Sequence, residues 1–152
     1  MTSARTRNLV RSVCLVMAGA LWSVPAAAQE PGVRAGVSVD PDQFYFGGHI
    51  ETAPLVDRLR FRPNVEIGIG DDITVIGLNF EFAYHFPSRQ AWNLYAGAGP
   101  ALNIVDTDRD TETEAGFNIL FGVQHRQGLF FEFKVGTIDS PDIKFGVGYS
   151  WR

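Results

Sequence analysis

The chain has 152 residues, with 17 acidic and 13 basic side chains and a formal net charge of −4 at pH 7. An acidic balance argues against nucleic acid as a partner, because nucleic-acid-binding domains present basic side chains to the phosphates. The single cysteine, Cys14, excludes an internal disulfide, so stability must come from a core, from closure of a sheet or from a bilayer.

The N-terminus has the layout of a secretory signal. Three arginines within the first eleven residues precede an apolar run from Ser12 to Val24 and a small-residue stretch that ends at Ala28. The run is shorter than the roughly 20 residues of a spanning helix. We therefore predict a cleaved signal peptide over residues 1–28 and one domain over residues 29–152. Cleavage removes three basic and no acidic side chains, so the net charge becomes −7.

The rest of the chain alternates between apolar and polar residues, and clusters of Pro, Gly, Asp, Asn and Ser interrupt the alternation. This pattern predicts eight strands, which are Val33 to Val39, Gln43 to Thr52, Leu59 to Ile69, Ile73 to Phe86, Ala91 to Val105, Glu112 to His125, Leu129 to Thr137 and Ile143 to Arg152. An all-β, eight-stranded antiparallel up-and-down barrel follows, with strands long enough to cross a bilayer. Pro63 and Pro100 fall inside predicted strands, and we expect a bulge at each.

Glycine indicates which face of the strands points inward. Eleven of the 16 glycines lie on the polar face and only Gly48 lies on the apolar face. A narrow lumen has a steric reason to collect glycine, whereas a water-facing surface has none. We therefore predict apolar residues facing lipid and an inward ion-pair network of Arg34, Glu51, Arg60, Arg62, Glu66, Glu81, Glu114, Glu132, Lys134 and Lys144.

Two other interpretations remain open. The inward charges could line a narrow channel, although the side chains of eight-stranded barrels usually fill the lumen. A soluble lipocalin-like carrier would place the apolar face inward around an apolar ligand.

The C-terminal strand carries a recognisable pattern, Lys144-Phe145-Gly146-Val147-Gly148-Tyr149-Ser150-Trp151. Over residues 29–152 the chain resembles the small eight-stranded outer-membrane barrels, a superfamily that includes the transmembrane domain of outer membrane protein A. The resemblance implies a Gram-negative outer membrane, contact with its lipid and lipopolysaccharide, and insertion by the barrel assembly machinery. It also implies an assembly signal at Lys144, Gly146, Tyr149 and Trp151. Arg152 departs from the family, whose chains usually end on the aromatic residue.

The polarity of the loops suggests an orientation. If the N-terminus lies in the periplasm, the loops after odd-numbered strands lie outside the cell, and these loops are acidic. The opposite loops contain Arg58, Arg89 and Arg126. Aromatic residues near strand ends should form girdles at the two membrane interfaces, and these are Phe44, Phe86, Trp92, Tyr149 and Trp151.

No motif predicts catalysis, a cofactor or a metal site. The His-any-Ser motif of the outer-membrane lipid A deacylases is absent at His49, His85 and His125, and no nucleophile can be placed beside a base from the sequence. The acidic loop from Asp106 to Asp110 begins like an EF-hand but lacks its later glycine and glutamate, so a solvated loop is expected. We expect a non-enzymatic protein with a structural or surface-interaction role and leave its oligomeric state open.

Overall fold

The computed structural model describes residues 29–138 and 141–152, so the predicted signal peptide lies outside the described residues. These residues form eight strands, which are β1 (Gln29–Val39), β2 (Gln43–Thr52), β3 (Leu59–Gly70), β4 (Ile73–His85), β5 (Trp92–Thr107), β6 (Thr111–His125), β7 (Leu129–Ile138) and β8 (Ile143–Ser150). Each strand pairs antiparallel with the next, and β8 pairs with β1 to close the barrel. The predicted eight-stranded antiparallel barrel is confirmed.

The strand limits differ from the sequence prediction mainly at the two ends of the chain. β1 begins at Gln29, four residues before the predicted start, and β8 ends at Ser150, two residues before the predicted end. The other limits agree within two residues. Among the described residues, no helix is long and apolar enough to cross a bilayer.

The bulges predicted at Pro63 and Pro100 are wrong. Pro63 pairs with Phe80 in a β3–β4 register that has no shift from Leu59 to Gly70. Pro100 lies in an unbroken β5–β6 register, while the β4–β5 pairing is interrupted beside it and resumes unshifted. On the other side of β3, the β2–β3 pairing ends at Asn64, next to Pro63. The barrel therefore accommodates each proline by omitting ladder contacts on one side, and no extra residue is inserted.

Burial alternates along the strands and divides the barrel into an apolar outside and a polar inside. Outward residues such as Leu94 and Phe44 are 61% and 56% exposed, whereas the inward Arg62 and Glu81 are 0% exposed. A soluble carrier requires the reverse arrangement, with apolar side chains lining the interior. The observed facing fits an apolar surface in contact with lipid.

The two ends of the barrel carry opposite charge. The acidic end comprises the loops after β1, β3, β5 and β7, and its described acidic residues include Asp40, Asp42, Asp71, Asp72, Asp108, Asp110 and Asp142. Asp139 and Ser140, in the last of these loops, lie outside the described residues. The terminal end comprises the loops after β2, β4 and β6 together with the start of β1 and the end of β8, and its loops contain Arg58, Arg89 and Arg126.

Candidate functional site

A continuous chain of alternating charges runs through the lumen from the acidic end to the terminal end. Each member lies within ion-pair distance of the next, in the order Lys144, Glu66, Arg34, Glu132, Arg62, Glu51, Arg60, Glu30 and Arg152. Lys134 and Glu81 extend it sideways. Each buried charge in a narrow lumen needs a partner of opposite sign, because an uncompensated buried charge strongly lowers the free energy of unfolding.

Glu66 on β3 is the junction nearest the acidic end. Its carboxylate lies 2.7 Å from the Nζ of Lys144, 3.0 Å from the Nζ of Lys134 and 3.3 Å from Nη1 of Arg34. Lys134 and Lys144 occupy directly opposed positions on β7 and β8. Two like charges at a cross-strand pair repel, and the shared carboxylate of Glu66 offsets that repulsion.

Glu132 on β7 is the central junction. It accepts hydrogen bonds from Arg34 Nη1 at 3.0 Å, from the hydroxyl of Tyr95 at 2.8 Å and from Nη2 of Arg62. The guanidinium of Arg62 also lies over the rings of Tyr95 and Phe130, at 4.9 and 5.4 Å from their centroids. These cation–π contacts fill the lumen with large side chains at mid-height.

Glycines on neighbouring strands make room for these inward aromatic rings. A Cβ on Gly122 would lie 2.2 Å from the ring of Tyr95, and a Cβ on Gly148 would lie 2.2 Å from the ring of Phe130. These glycines supply the space that the sequence pattern anticipated on the polar face. The lumen at this level is therefore occupied by rings that lie against glycine backbone.

The terminal end is closed by Glu51 and Glu30. Glu51 lies 3.1 Å from Arg60 Nη1 and 3.4 Å from Nε2 of His85, and Glu30 lies 3.2 Å from Arg60 Nη1 and 3.0 Å from Nε of Arg152. The sequence prediction omitted Glu30, because the first strand was begun too late. Extending the alternation upstream from Arg34 would have placed Glu30 on the inward face.

A line of amides supplements the ion pairs. Asn118 donates to Asn79 at 2.7 Å, Asn79 donates to Asn64 at 2.8 Å, and Asn64 donates to a carboxylate oxygen of Glu81 at 2.8 Å. These hydrogen bonds connect β6, β4 and β3. Asn64 and Asn79 have the same parity as the inward charged residues Arg62 and Glu81 of their strands, but alternation does not show which strands meet inside the barrel.

Nine of the ten residues predicted for the ion-pair network come together in the lumen, and Glu114 does not. Within the described part of the chain, no basic side chain lies within ion-pair distance of Glu114, which is partly exposed near the acidic end of β6. Its inward position follows the alternation, but it lies opposite Asn103 of β5, and neither β5 nor β6 contributes a residue to the ion-paired network.

The histidines lie at the terminal end, and one of them contacts a hydroxyl. Nε2 of His49 is 2.8 Å from Oγ of Ser150, so the structure does bring a hydroxyl beside a base, contrary to the sequence expectation. Ser150 is fully buried, and Nδ1 of His49 has no hydrogen-bond partner among the described residues. A nucleophile needs substrate access and a base oriented by a third group. His49 lines a pocket of about 300 Å³, but Ser150 has no exposed surface and no described side chain orients His49 through Nδ1.

The residues predicted as an assembly signal lie on both faces of β8 and just beyond it. Lys144 and Gly146 point inward, where Lys144 binds Glu66 and Gly146 lies against Tyr45. Tyr149 and Trp151 point outward, with their rings 5.8 Å apart in an edge-to-face arrangement. Trp151 follows the end of β8 and is exposed.

Among the residues that the structure describes, no group of three or more His, Cys, Asp or Glu side chains is arranged to hold a metal ion. At the β5–β6 turn, Asp106 near the end of β5 accepts a hydrogen bond from the Thr111 hydroxyl at 2.8 Å, and Asp110 accepts one from the Thr111 backbone N–H at 2.9 Å. These two carboxylates thus stabilise the turn.

The barrel is similar to two solved outer-membrane barrels. The N-terminal β-barrel domain of Pseudomonas aeruginosa OprF matches with a TM-score of 0.63 at 16% identity, over 82% of this chain and 97% of that one. Neisserial surface protein A, NspA, matches with a TM-score of 0.59 at 13% identity, over 81% of this chain and 94% of that one. The chain has the fold of the small outer-membrane barrels. No protein-family model and no curated protein sequence matches it.

The five aromatic residues predicted to form the girdles lie near strand ends. Phe86, Trp92, Tyr149 and Trp151 lie toward the terminal end, Phe44 lies toward the acidic end, and all five are exposed. Between them the outer surface is apolar, with Val37, Phe121 and Phe145 each about half exposed. Aromatic residues at the two edges of an apolar band are typical of transmembrane barrels.

Proposed function

We propose that this chain is an outer-membrane protein of a Gram-negative-type bacterium with a structural or surface-interaction role and a lumen closed by its own side chains. The observation that carries the proposal is the chain of buried ion pairs that crosses the lumen, with aromatic rings packed against it. A cavity of about 10 Å³ lies beside Glu66 and Lys144. Such a space holds about one water molecule, so it supports a plug and not a solute path.

The outer membrane is proposed as the location on three supports. The fold is shared with OprF and NspA, the outward face is apolar, and the N-terminal sequence has the layout of an export signal. With the terminal end in the periplasm, the acidic end would face outward. Its short carboxylate-rich loops would then lie at the level of lipopolysaccharide phosphates, where divalent cations bridge like charges.

The barrel assembly machinery is the partner proposed during insertion. Tyr149 and Trp151 support this because both are outward, exposed and close to the end of the chain, where another protein can contact them. The protein is proposed to be non-enzymatic, since the His49 and Ser150 contact is enclosed within the barrel.

Planar-bilayer conductance tests the closed lumen. We expect the purified barrel to give no steady unit steps, because buried ion pairs to Glu132 and the rings of Tyr95 and Phe130 occupy the lumen. A variant carrying both Arg62→Ala and Glu132→Ala removes the central pair and serves as the positive control, since it should conduct. Steady unit conductance of the unaltered protein would contradict the plug and favour the narrow-channel alternative.

A further inference from the structure

Beyond the closed lumen, we propose that the outer surface at the terminal end holds an anionic glycerophospholipid, with its phosphate at Arg126 and His125 and its two acyl chains in separate apolar grooves. The proposal rests on the proposed membrane location. Its own support is the arrangement of three shallow, open cavities on the outside of β5, β6, β7, β8, β1 and β2. Two of them share lining residues, and the third is linked to them by the contact between the rings of Trp92 and Phe131.

The headgroup cavity is amphipathic and lies at the membrane-interface level. It has a volume of about 670 Å³ and is lined by Trp92, His125, Arg126, Gln127, Leu129, Tyr149 and Arg152. Basic and aromatic side chains together are typical of the level where lipid headgroups meet the hydrocarbon.

Arg126 and His125 are held in position with donors free to face the cavity. Nη2 of Arg126 donates to the backbone carbonyl of Arg89 at 2.9 Å, and the Arg126 backbone N–H donates to the carbonyl of Ala91 at 2.9 Å. The Gln127 N–H donates to Nδ1 of His125 at 3.2 Å, which leaves Nε2 of His125 as its N–H donor. An exposed guanidinium with a neighbouring N–H donor is suited to a phosphate.

Arg152 is not the anion ligand, although it lines the same cavity. Its Nε pairs with Glu30 at 3.0 Å and its Nη2 donates to Gln124 at 2.9 Å. Its charge is therefore already compensated by the lumen network. Arg126 has no carboxylate within ion-pair distance among the described residues, so its charge is available to a ligand.

Two apolar grooves lead away from the headgroup cavity. The first, of about 430 Å³, shares Leu129 and Tyr149 with it and continues along Val33, Ala35, Phe46 and Val147. The second, of about 610 Å³, begins at Phe131, whose ring is 6.1 Å from that of Trp92, and continues past Leu94, Ala96, Phe121 and Phe133. One polar cavity with two apolar grooves matches one headgroup with two acyl chains.

The depth of the site lies within one leaflet. From Leu129 at the headgroup cavity to Phe133 in the second groove, β7 advances about 13 Å along its own axis. A strand tilt of about 40° reduces this to about 10 Å along the membrane normal, while half of a hydrocarbon core is about 15 Å. The outward Ala96 supplies the hollow in the second groove. An acyl chain entering from the terminal end would therefore lie along the strands within its own leaflet.

An anionic phospholipid is favoured over lipopolysaccharide by charge. Arg58, Arg89 and Arg126 make the loops of the terminal end basic, whereas the loops of the opposite end are acidic. Basic side chains near a membrane surface attract anionic headgroups. In the proposed orientation the terminal end lies in the inner leaflet, which contains glycerophospholipids.

Fluorescence quenching tests the site with a defined probe. The processed chain with Trp151→Phe retains Trp92 as its tryptophan and is refolded into phosphatidylcholine vesicles that contain a small fraction of bromine-labelled phosphatidylglycerol. We expect labelled phosphatidylglycerol to quench Trp92 more strongly than labelled phosphatidylcholine does at the same fraction. The difference should correspond to an about fivefold local enrichment of phosphatidylglycerol. Arg126→Gln should remove the enrichment, and Ala96→Phe should reduce it by filling the groove.

Arg109→Gln is the matched control, since Arg109 lies in the loop after β5 at the acidic end, and it should leave the enrichment unchanged. Equal quenching by the two labelled lipids, or enrichment that persists in Arg126→Gln, would overturn the site and leave only ordinary annular lipid. Migration of boiled and unboiled samples from the same vesicles reports insertion separately, so failure to insert is distinguishable from failure to bind.

Discussion

Replacing Glu66 with glutamine isolates the contribution of the lumen network to stability. The side chain is 1% exposed and is shared by Arg34, Lys134 and Lys144. Arg34 and Lys134 retain other carboxylates, but Lys144 has no second ion-pair partner among the described residues. Glu66→Gln therefore leaves a largely buried ammonium without a counter-charge.

The expected loss in the free energy of unfolding is about 3 kcal/mol, the lower part of the range for breaking a buried ion pair, because the glutamine amide still accepts a hydrogen bond. Urea unfolding in lipid vesicles, followed by tryptophan fluorescence, measures it. Glu114→Gln makes the same chemical change outside the network and should stay within about 0.5 kcal/mol of the unaltered protein.

A double variant separates lost charge pairing from lost shape. Adding Lys144→Met to Glu66→Gln removes the stranded ammonium, so the double variant should be more stable than the sum of the two single losses by at least about 1 kcal/mol. If Glu66→Gln and Glu114→Gln destabilise the barrel equally, the ion-pair network does not contribute to its stability. If the losses from Glu66→Gln and Lys144→Met simply add, Glu66 does not stabilise the barrel as the counter-charge of Lys144.

Three further predictions concern packing, lipid contact and assembly. Gly148→Ala forces a Cβ to 2.2 Å from an inward aromatic ring and should lower the free energy of unfolding in urea by about 1–3 kcal/mol. Gly48→Ala is the control: its Cβ meets nothing closer than 3.6 Å, so the free energy of unfolding should change by less than about 0.5 kcal/mol. Val147→Arg, in the middle of β8 on the lipid face, should destabilise the barrel in vesicles by about 2–4 kcal/mol. Val39→Arg, at the acidic end of β1, should destabilise it by about 1 kcal/mol or less, and comparable losses from the two variants would contradict the membrane depth assigned to these residues. Trp151→Ala should lower the fraction of protein assembled in the outer membrane of cells while leaving refolding into vesicles unchanged, and a parallel loss in both assays would refute a role in recognition.

Alternation in the sequence was sufficient to predict the strands and their facing, because a strand's side chains point to opposite sides with a period of two. It placed Arg62 and Glu132 inside the barrel. It did not show that they meet, since that depends on the stagger of strands β3 and β7, which are not neighbours. The amide line through Asn79 and Asn118 was missed for the same reason.

The errors also have physical causes. A proline in a closed sheet can be accommodated by losing ladder contacts, so the presence of Pro63 and Pro100 does not require a bulge. Glu114 shares the inward parity of the network residues but lies on β6, and neither β6 nor its neighbour β5 contributes a residue to the ion-paired network. The contact of His49 with Ser150 joins residues from β2 and β8, which lie on either side of β1, and only closure of the barrel brings them together.

The most direct test of a closed outer-membrane barrel is to express the whole precursor in a Gram-negative host and compare boiled and unboiled outer-membrane fractions on a detergent gel. We predict that the protein is found in this fraction and that its migration shifts on boiling, because the folded barrel resists detergent until it is heated. Recovery as a soluble periplasmic protein, with no shift on boiling, would contradict the outward placement of the apolar face.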